Sequence, residues 1–187
     1  MRLSRQTSGR VIALFAVGIV GLGLSGCCGE PEADLAAPLS YDNAGIAFDY
    51  PGNWKISDDG TEPQNRYVMV ETPGEAITIV TLVPAEEAAD LDGYSRVFSD
   101  EARKNTPVGD VSASTFSKVT GAEDKQAQTE NFTISLAGES LPHTRHYRRV
   151  ASDKSVCFVL AQAADEDMDK AKPGFDLIFS TLKCTEP

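Results

Sequence analysis

Apolar residues follow three different patterns along this chain, and each pattern predicts a different kind of element. Residues 11–26 form an uncharged and mostly apolar run. Beyond residue 40, apolar and polar residues mostly alternate, which is typical of half-buried β-strands. Two later stretches change to a spacing of three or four, the spacing of one helix face. The patterns therefore predict a short apolar N-terminal segment followed by a domain of strands and helices.

The alternating stretches predict a β-sheet. Residues 45–57 predict a hairpin, because the turn residues Pro51-Gly52-Asn53 separate two alternating segments. Residues 155–162 are mostly apolar and predict a central strand. The other predicted strands are 66–71, 76–83, 111–119, 132–136 and 142–150.

Two stretches predict helices. The first spans residues 90–105, where Asp90 or Asp92 can cap the start. Its apolar positions recur at helical spacing, and we expect them to be core contacts rather than a ligand site: Leu91, Tyr94, Phe98 and Ala102. In the second helix we expect Pro173 in the first turn. The apolar side of that helix is then formed by Phe175, Leu177, Ile178, Phe179 and Leu182.

The apolar run ends in Leu24-Ser25-Gly26-Cys27, which resembles the lipobox of bacterial lipoproteins at all four positions. Three arginines and no acids precede the run, as in a secretory signal. A helix over residues 11–26 rises about 24 Å, which is short of the roughly 30 Å hydrocarbon core. The resemblance implies cleavage before Cys27 and attachment of a diacylglyceryl group to its thiol. An ordinary signal peptide is the alternative.

Charge separates this N-terminal segment from the rest of the chain. There are 17 basic and 28 acidic residues, and the first 26 positions hold three of the basic residues and no acid. The chain from Cys27 onward therefore has a net charge near −14. Such an acidic chain repels phosphate backbones, so we expect no nucleic-acid partner. Anionic headgroups do not attract it either, so membrane attachment depends on the lipid at Cys27.

These features divide the chain into three parts. Residues 1–26 form the signal peptide, residues 27–39 contain the lipidated Cys27 and a flexible acidic tether, and residues 40–187 form the domain. The assignment of the tether depends on two prolines, a glycine and three acids between residues 28 and 39. This composition is typical of a flexible, self-repelling linker.

The opening of the domain resembles that of PsbP-like domains. From Asn43 to Trp54 it reads NAGIAFDYPGNW, which contains the signature Phe-x-Tyr-Pro-x-x-Trp. These domains are relatives of the photosystem II extrinsic protein PsbP and of a Ran-binding import factor, and many bacterial lipoproteins contain one. The resemblance implies an α+β fold over about residues 40–185, with an antiparallel sheet flanked by helices in an α/β/α sandwich. It implies no catalytic residue.

The four cysteines have different expected roles. Cys27 is assigned to the lipid, and Cys28 lies in the predicted tether. Cys157 lies in the predicted central strand, and Cys184 directly follows the last helix. An exported protein meets an oxidising environment, where these two can form a disulfide that attaches the helix end to the sheet. A buried Cys157 with a free Cys184 is the alternative.

Residues 142–150 hold the only basic cluster of this acidic chain. Alternation along a strand places Arg145, Tyr147 and Arg149 on one face. They form a candidate anion-binding strip, since forked guanidinium groups bind carboxylates and phosphates. Pairing with acids on a neighbouring strand is the alternative.

The motifs point to no reaction. His143 and His146 are three residues apart, so a strand directs them to opposite sides and no single metal ion binds both. The chain contains no Gly-x-Ser-x-Gly, no phosphate-binding glycine loop and no Cys-x-x-Cys. We therefore expect no catalytic residue, no cofactor and no metal.

These observations predict a lipid-anchored envelope lipoprotein whose domain is a non-catalytic binding or accessory module and a monomer. Its expected partners are the membrane, through Cys27, and an envelope protein or a small ligand. Its expected location is the periplasmic side of the outer membrane if the cell has one, and otherwise the outer face of the cell membrane. The alternatives are an envelope hydrolase with His143 or His146 as general base, and a protein that binds a small anionic ligand.

Overall fold

The computed structural model describes residues 30–63, 65–106, 109–119 and 125–186. Within these ranges the chain forms eleven strands and two α-helices, and the strand pairs are antiparallel. The strands are β1 (Leu39–Asn43), β2 (Ile46–Tyr50), β3 (Lys55–Glu62), β4 (Asn65–Glu71), β5 (Ile77–Pro84), β6 (Asp110–Val111), β7 (Thr115–Val119), β8 (Lys125–Leu136), β9 (Glu139–Ala151), β10 (Ser155–Ala164) and β11 (Lys183–Cys184). The helices are α1 (Leu91–Lys104) and α2 (Met168–Thr181), and a 3₁₀ turn, Asp165–Asp167, precedes α2. Neither helix of the described part is long and apolar enough to cross a membrane.

The strands form a large sheet and a small one. The large sheet has eight strands in the order β3-β4-β5-β10-β9-β8-β6, and β7 also pairs with β8. The small sheet has the order β1-β2-β11. β10 lies in the middle of the large sheet and most of its residues are buried, which confirms the prediction of a central strand over 155–162.

Different elements cover the two faces of the large sheet. Val156, Phe158 and Leu160 of β10 pack on one face in a cluster that includes Leu91 of α1. The residues between them pack on the opposite face, in a cluster that includes α2 and the small sheet. We call these the α1 face and the α2 face. An antiparallel sheet between helices is the α+β architecture that the sequence predicted.

A disulfide joins the two sheets on the α2 face. Cys157 of β10 and Cys184 of β11 are bonded, with their Cα atoms 5.9 Å apart. Both residues are buried. The predicted covalent attachment of the C-terminal end of α2 to the central strand is therefore present.

The predicted hairpin over residues 45–57 is wrong, because its two strands belong to different sheets. β2 pairs with β1, and β3 pairs with β4. The hairpin turn lies at Ala44-Gly45, where φ is 43° and 86°, as a two-residue turn between twisted strands requires. After β2 the chain turns at Pro51, whose carbonyl accepts a hydrogen bond from the Trp54 amide at 3.0 Å. The turn places Trp54 in the core, with its ring 5.5 Å from that of Phe175 in α2.

Residues 30–38 lie against the domain, whereas the sequence predicted a flexible tether through residue 39. The Gly52 amide donates to the Asp34 carbonyl at 2.9 Å, and the Ala33 amide donates to the Lys170 carbonyl at 3.3 Å. The Asn53 side chain donates to the Glu32 carbonyl at 2.9 Å. The segment that looked like a linker is therefore hydrogen-bonded to a loop and a helix of the domain. An irregular segment can make such bonds because its backbone groups are not used in a helix or sheet. Cys27, Cys28 and the predicted signal peptide lie outside the described residues.

Two element boundaries also differ from the prediction. Pro173 is the sixth residue of α2, not a residue of its first turn. The helix begins earlier because the acidic 3₁₀ turn Asp165–Asp167 leads directly into it, and carboxylates are favourable at a helix N-terminus. The strand predicted over 111–119 is divided into β6 and β7, both of which pair with β8.

Candidate functional site

The strongest concentration of buried polar groups lies between α1 and the large sheet. Two rows of α1 face the sheet. The aromatic row packs on β10 and β9: the Tyr94 ring stacks 4.1 Å from that of Phe158, and the Phe98 ring meets that of Tyr147 at 6.2 Å. The second row is polar and consists of Ser95 and Ser99, which lie one helical turn apart. The sequence prediction that the aromatic row makes core contacts is confirmed.

Glu130 of β8 is the centre of this site. Its side chain is fully buried, and each carboxylate oxygen accepts two hydrogen bonds. Ser99 donates to Oε1 at 2.5 Å, and Ser114 donates to the same oxygen. Tyr147 donates to Oε2 at 2.6 Å, and Nη1 of Arg145 donates to it at 3.2 Å. We call these five residues the Glu130 network.

The Arg145 side chain is fixed by hydrogen bonds and by aromatic rings. Its Nε donates to Oε1 of Gln162 on the adjacent strand β10 at 2.5 Å. Its guanidinium lies 4.1 Å from the ring centre of Phe132 and 5.4 Å from that of Phe98. The cation is therefore paired with a carboxylate and stacked on aromatic rings, which is the environment that buried arginines favour.

These contacts determine the protonation states at the site. Burial by itself raises the pKa of the Glu130 carboxyl, but Arg145 and the hydroxyl donors outweigh burial, and this pKa lies below its ordinary value. Burial, together with the neighbouring carboxylate, raises the pKa of Tyr147 far above its ordinary value. Glu130 is therefore an ionised acceptor and Tyr147 a neutral donor at neutral pH. A carboxylate with this many donors is satisfied within the fold, so the network joins α1, β8 and β9 firmly.

A second chain of polar contacts lies beside the network and reaches the surface of α1. Ser95 donates to Oε1 of the buried Gln128 at 2.9 Å, and Nε2 of Gln128 donates to Asp92 at 3.3 Å. Asp92 also accepts from Nε of Arg96 at 3.0 Å. The Arg96 hydrogen bond is the main reason that the pKa of Asp92 is lowered. Polar contacts therefore follow the whole contact line between α1 and β8.

The predicted anion-binding strip is present as a face of β9 but binds an internal anion. Arg145, Tyr147 and Arg149 share the α1 face, as alternation predicted, because they pair with Gln162, Leu160 and Phe158 of β10. Two of the three are committed to Glu130. Arg149 is half-buried, and its Nε has no hydrogen-bond partner among the described residues. For Arg145, the alternative is therefore confirmed: it pairs with an acid, Glu130, on the neighbouring strand β8.

The two histidines lie on opposite faces of the large sheet. His143 stacks 5.4 Å from Phe132, and its Nδ1 lies 2.9 Å from the Leu141 carbonyl. Nδ1 of His146 lies 3.3 Å from the Thr129 hydroxyl. Burial, followed by the charge of Lys172, lowers the pKa of His146. Each histidine therefore meets a different set of neighbours, and the described contacts join neither to both a serine and a carboxylate.

A further cluster joins the small sheet to the large one. Nη1 of Arg66 donates to Asp59 at 2.5 Å, and its Nη2 donates to the Tyr41 hydroxyl. That hydroxyl donates to the other oxygen of Asp59 at 2.8 Å. The Arg66 hydrogen bond is the main reason that the pKa of Asp59 is lowered.

Within the described ranges, no group of three or more His, Cys, Asp or Glu residues could hold a metal ion.

Sequence reasoning missed Glu130 and its hydroxyl partners. The available signal was in β8, where Gln126, Gln128 and Glu130 occupy the same alternating face as Phe132. The buried face of a strand normally carries apolar residues. Two glutamines and a glutamate leading to a buried phenylalanine therefore indicated either an exposed face or a buried polar site. The serine pair of α1 gives no apolar signal at helical spacing, although both serines are buried.

Comparison with known proteins supports the fold assignment. Neither a protein-family model nor a curated protein sequence matches the chain. The solution structure of cyanobacterial PsbP (CyanoP) from Synechocystis sp. PCC 6803 has a TM-score of 0.53 and 14% identity, and the match covers 87% of this chain and 99% of that one. The predicted PsbP-like fold is confirmed at the level of architecture.

Two crystal structures also match, with lower TM-scores. LpqN of Mycobacterium tuberculosis, described as involved in cell envelope biogenesis, has a TM-score of 0.38 and 16% identity, covering 83% of this chain and 99% of that one. PA94 of Pseudomonas aeruginosa, described as a protein of unknown function and putative regulator, has a TM-score of 0.38 and 11% identity, covering 74% of this chain and 91% of that one.

Proposed function

We propose that this protein is a lipid-anchored lipoprotein of the bacterial cell envelope, and that its PsbP-like domain is a non-catalytic binding or accessory module. The observation that carries the proposal is Leu24-Ser25-Gly26-Cys27 at the end of the apolar run. Cleavage before Cys27 and acylation of its thiol anchor the domain permanently, because each buried CH₂ adds about 0.8 kcal/mol. The anchor lies on the periplasmic side of the outer membrane if there is one, and otherwise on the outer face of the cell membrane.

The chemistry of the domain supports binding over catalysis. Glu130 and Tyr147, whose pKa values both depart from their ordinary range, bind each other in the core, and Glu130 also binds Arg145. A general base must reach a proton of the substrate, and these groups are occupied within the fold. The histidines that a hydrolase would use lie on opposite faces of the sheet. The disulfide Cys157–Cys184 supports an oxidising location outside the cytoplasm.

The proposed mechanism is recruitment. A lipid at Cys27 confines the domain to a layer next to the membrane and raises its effective concentration toward envelope partners. The net negative charge of the domain favours partners with basic patches and disfavours nucleic acid and anionic lipid. The domain acts as a monomer in this scheme, because one anchor and one surface suffice.

Intact-mass analysis of protein extracted from the envelope tests the anchor. We expect a mass without residues 1–26 but with acyl groups added, and a gain of two hydrogens on reduction of the disulfide. Cys27→Ala should appear in the soluble fraction without acyl groups. Cys28→Ala is the matched control, because it changes the neighbouring thiol and should remain acylated. An unacylated wild-type protein would contradict the proposal.

Crosslinking in intact envelopes tests recruitment. We expect wild-type protein to capture one or a few envelope proteins, and the released Cys27→Ala form to lose that capture. If the wild-type and Cys27→Ala forms capture the same envelope proteins equally well, recruitment by the anchor is contradicted. A turnover assay with envelope extracts that depends on His143 or His146 would instead support the hydrolase alternative.

A further inference from the structure

Glu30 attaches the first described residues firmly to the domain. Its Oε2 accepts hydrogen bonds from the Glu75 amide at 3.0 Å and the Ala76 amide at 3.3 Å. Its own amide donates to Oδ1 of Asp167 at 3.0 Å. Glu30 is only 3% exposed, and it lies against Gly74, where any side chain would overlap its carboxylate. The chain therefore has a fixed attachment point at Glu30.

This attachment point is very near the proposed lipid. Only Cys28 and Gly29 separate Cys27 from Glu30. An extended chain gains at most about 3.6 Å per residue, so three residues span at most about 11 Å. A longer tether would let the domain tumble above the membrane, whereas a lipid at Cys27 would hold the Glu30 end of the domain at the bilayer surface.

The hairpin of β8 and β9 projects from the same end of the large sheet. Glu30 contacts the residue before β5 and the 3₁₀ turn after β10, so it marks the end of the sheet where β10 stops. The last pair between β10 and β9 joins Ala164 to His143. β8 and β9 continue past that pair to Leu136 and Glu139. The extra four residues of each strand extend about 13 Å.

The turn of this hairpin is open, and its strands carry three aliphatic side chains on one face beside the exposed Glu139, while β6 pairs with β8 along one edge. Ala137 and Gly138 form the turn, with φ of 53° and 90°. A Cβ atom placed on Gly138 would have no heavy atom within 4 Å among the described residues. Ile134 pairs with Leu141, which is 36% exposed. Leu136 is half-buried and lies on the same strand face as Ile134.

We propose that the tip of the β8–β9 hairpin, residues 134–141, contacts the lipid bilayer and is held there by the short connection between Cys27 and Glu30. The inference rests on the proposed lipidation of Cys27. The partner is the zwitterionic interface of the bilayer. Apolar side chains at the tip enter this interface, while the acidic 3₁₀ turn Asp165–Asp167 that Glu30 contacts disfavours anionic headgroups.

Tryptophan fluorescence in vesicles tests the contact. The native Trp54 is the only tryptophan and is 3% exposed, so a new tryptophan dominates any quenching by the membrane. The lipidated Leu141→Trp protein is incorporated into phosphatidylcholine vesicles with brominated acyl chains. We expect its fluorescence to be quenched about twofold or more, since tryptophan favours the bilayer interface. The matched control is Val97→Trp on the outer side of α1, which replaces an aliphatic residue of similar exposure, 42% against 36% for Leu141, and should not be quenched.

A second variant tests the short connection. Twenty Gly and Ser residues inserted between Gly29 and Glu30 of the Leu141→Trp protein should lower the quenching, because the effective concentration of the tip at the bilayer falls with linker length. Unchanged quenching contradicts the role of the short connection. A protein that is acylated by mass analysis but shows equal quenching at positions 141 and 97 overturns the membrane contact and leaves the proposed function intact. A protein without acyl groups overturns both.

Discussion

The two faces of the large sheet are stabilised in different ways, although they share the same strands. On the α1 face, a buried carboxylate, a guanidinium and several hydroxyls join the helix to β8 and β9. On the α2 face, Trp54, Phe175 and Ile178 fill an apolar core, and a disulfide joins the sheets. Hydrogen bonds depend on direction, whereas apolar burial does not. The α1 face therefore determines the position of its helix, and the α2 face supplies most of the apolar burial.

The largest expected effect is on the α1 face. Arg145→Met leaves the buried Glu130 carboxylate without its cation, and we expect the free energy of unfolding to fall by about 3–5 kcal/mol. Arg148→Met is the matched control on the same strand, where the cation lies 4.6 Å from the ring of Phe179 on the other face. We expect about 1 kcal/mol from that loss. Urea unfolding at neutral pH measures both, and similar losses for the two variants would contradict a special role for the Glu130 network.

The next effect concerns the α2 face. Reducing Cys157–Cys184, which are 27 residues apart, should lower the free energy of unfolding by about 3.5 kcal/mol. Hydrogen exchange should show the loss of protection mainly in α2 and β11, while α1 changes less. Cys184→Ala is the control, since a reductant has nothing to cleave in that variant. Equal loss of protection in both helices would show that the two faces are not independent.

A smaller effect compares one glycine from each helix. A Cβ atom on Gly174 of α2 would lie 2.4 Å from the Trp54 ring, so Gly174→Ala should cost about 1–3 kcal/mol by overpacking. A Cβ atom on Gly93 of α1 meets only the capping carboxylate of Asp90 at 3.1 Å and the Ala89 side chain at 3.7 Å. Gly93→Ala should change stability by less than about 0.5 kcal/mol. Thermal unfolding of the two variants gives the comparison, and equal Tm values would argue against close packing at Trp54.

The smallest expected effect is a dependence on acidity. Because the pKa of Glu130 is lowered in the folded protein, its stabilisation is complete above the unfolded pKa of about 4.3. It is lost as the pH falls from there through the lower folded pKa. Stability should therefore fall more steeply on acidification in the wild type than in Glu130→Gln. Urea midpoints measured from neutral pH downward test this, and parallel profiles would show that Glu130 does not titrate as proposed.

Local patterns predicted most of the elements but not their partners. The alternation of β4, β5 and β10 and the helical spacing of α1 are visible in the sequence, because each depends on which side of one element is buried. The hairpin over 45–57 failed because turn chemistry at Pro51 does not determine which strand comes next to β2. Its true partner β1 is joined by Ala44-Gly45, and alanine is an uncommon residue for that turn.

The candidate site was only partly predictable for the same reason. The sequence placed Arg145, Tyr147 and Arg149 on one strand face, and this is correct. It did not indicate that Glu130, 15 residues earlier, would be directly opposite Arg145. The attachment of Glu30 was also missed, because its contacts with Asp167, Glu75 and Ala76 join residues far apart in the sequence, which composition does not reveal.

By itself the sequence determined the acidity and the class of fold and indicated which two cysteines could bond, since these depend on composition and on local periodicity. Only the tertiary structure decided that Arg145 pairs with a buried acid, that residues 30–34 bond to the domain, and that β8 and β9 extend past β10 at the end of the sheet that Glu30 contacts. Each of these depends on strand register and on contacts between distant residues. A one-residue change of register between β8 and β9 would move Glu130 away from Arg145, and the alternation along β8 alone does not name its partner on β9.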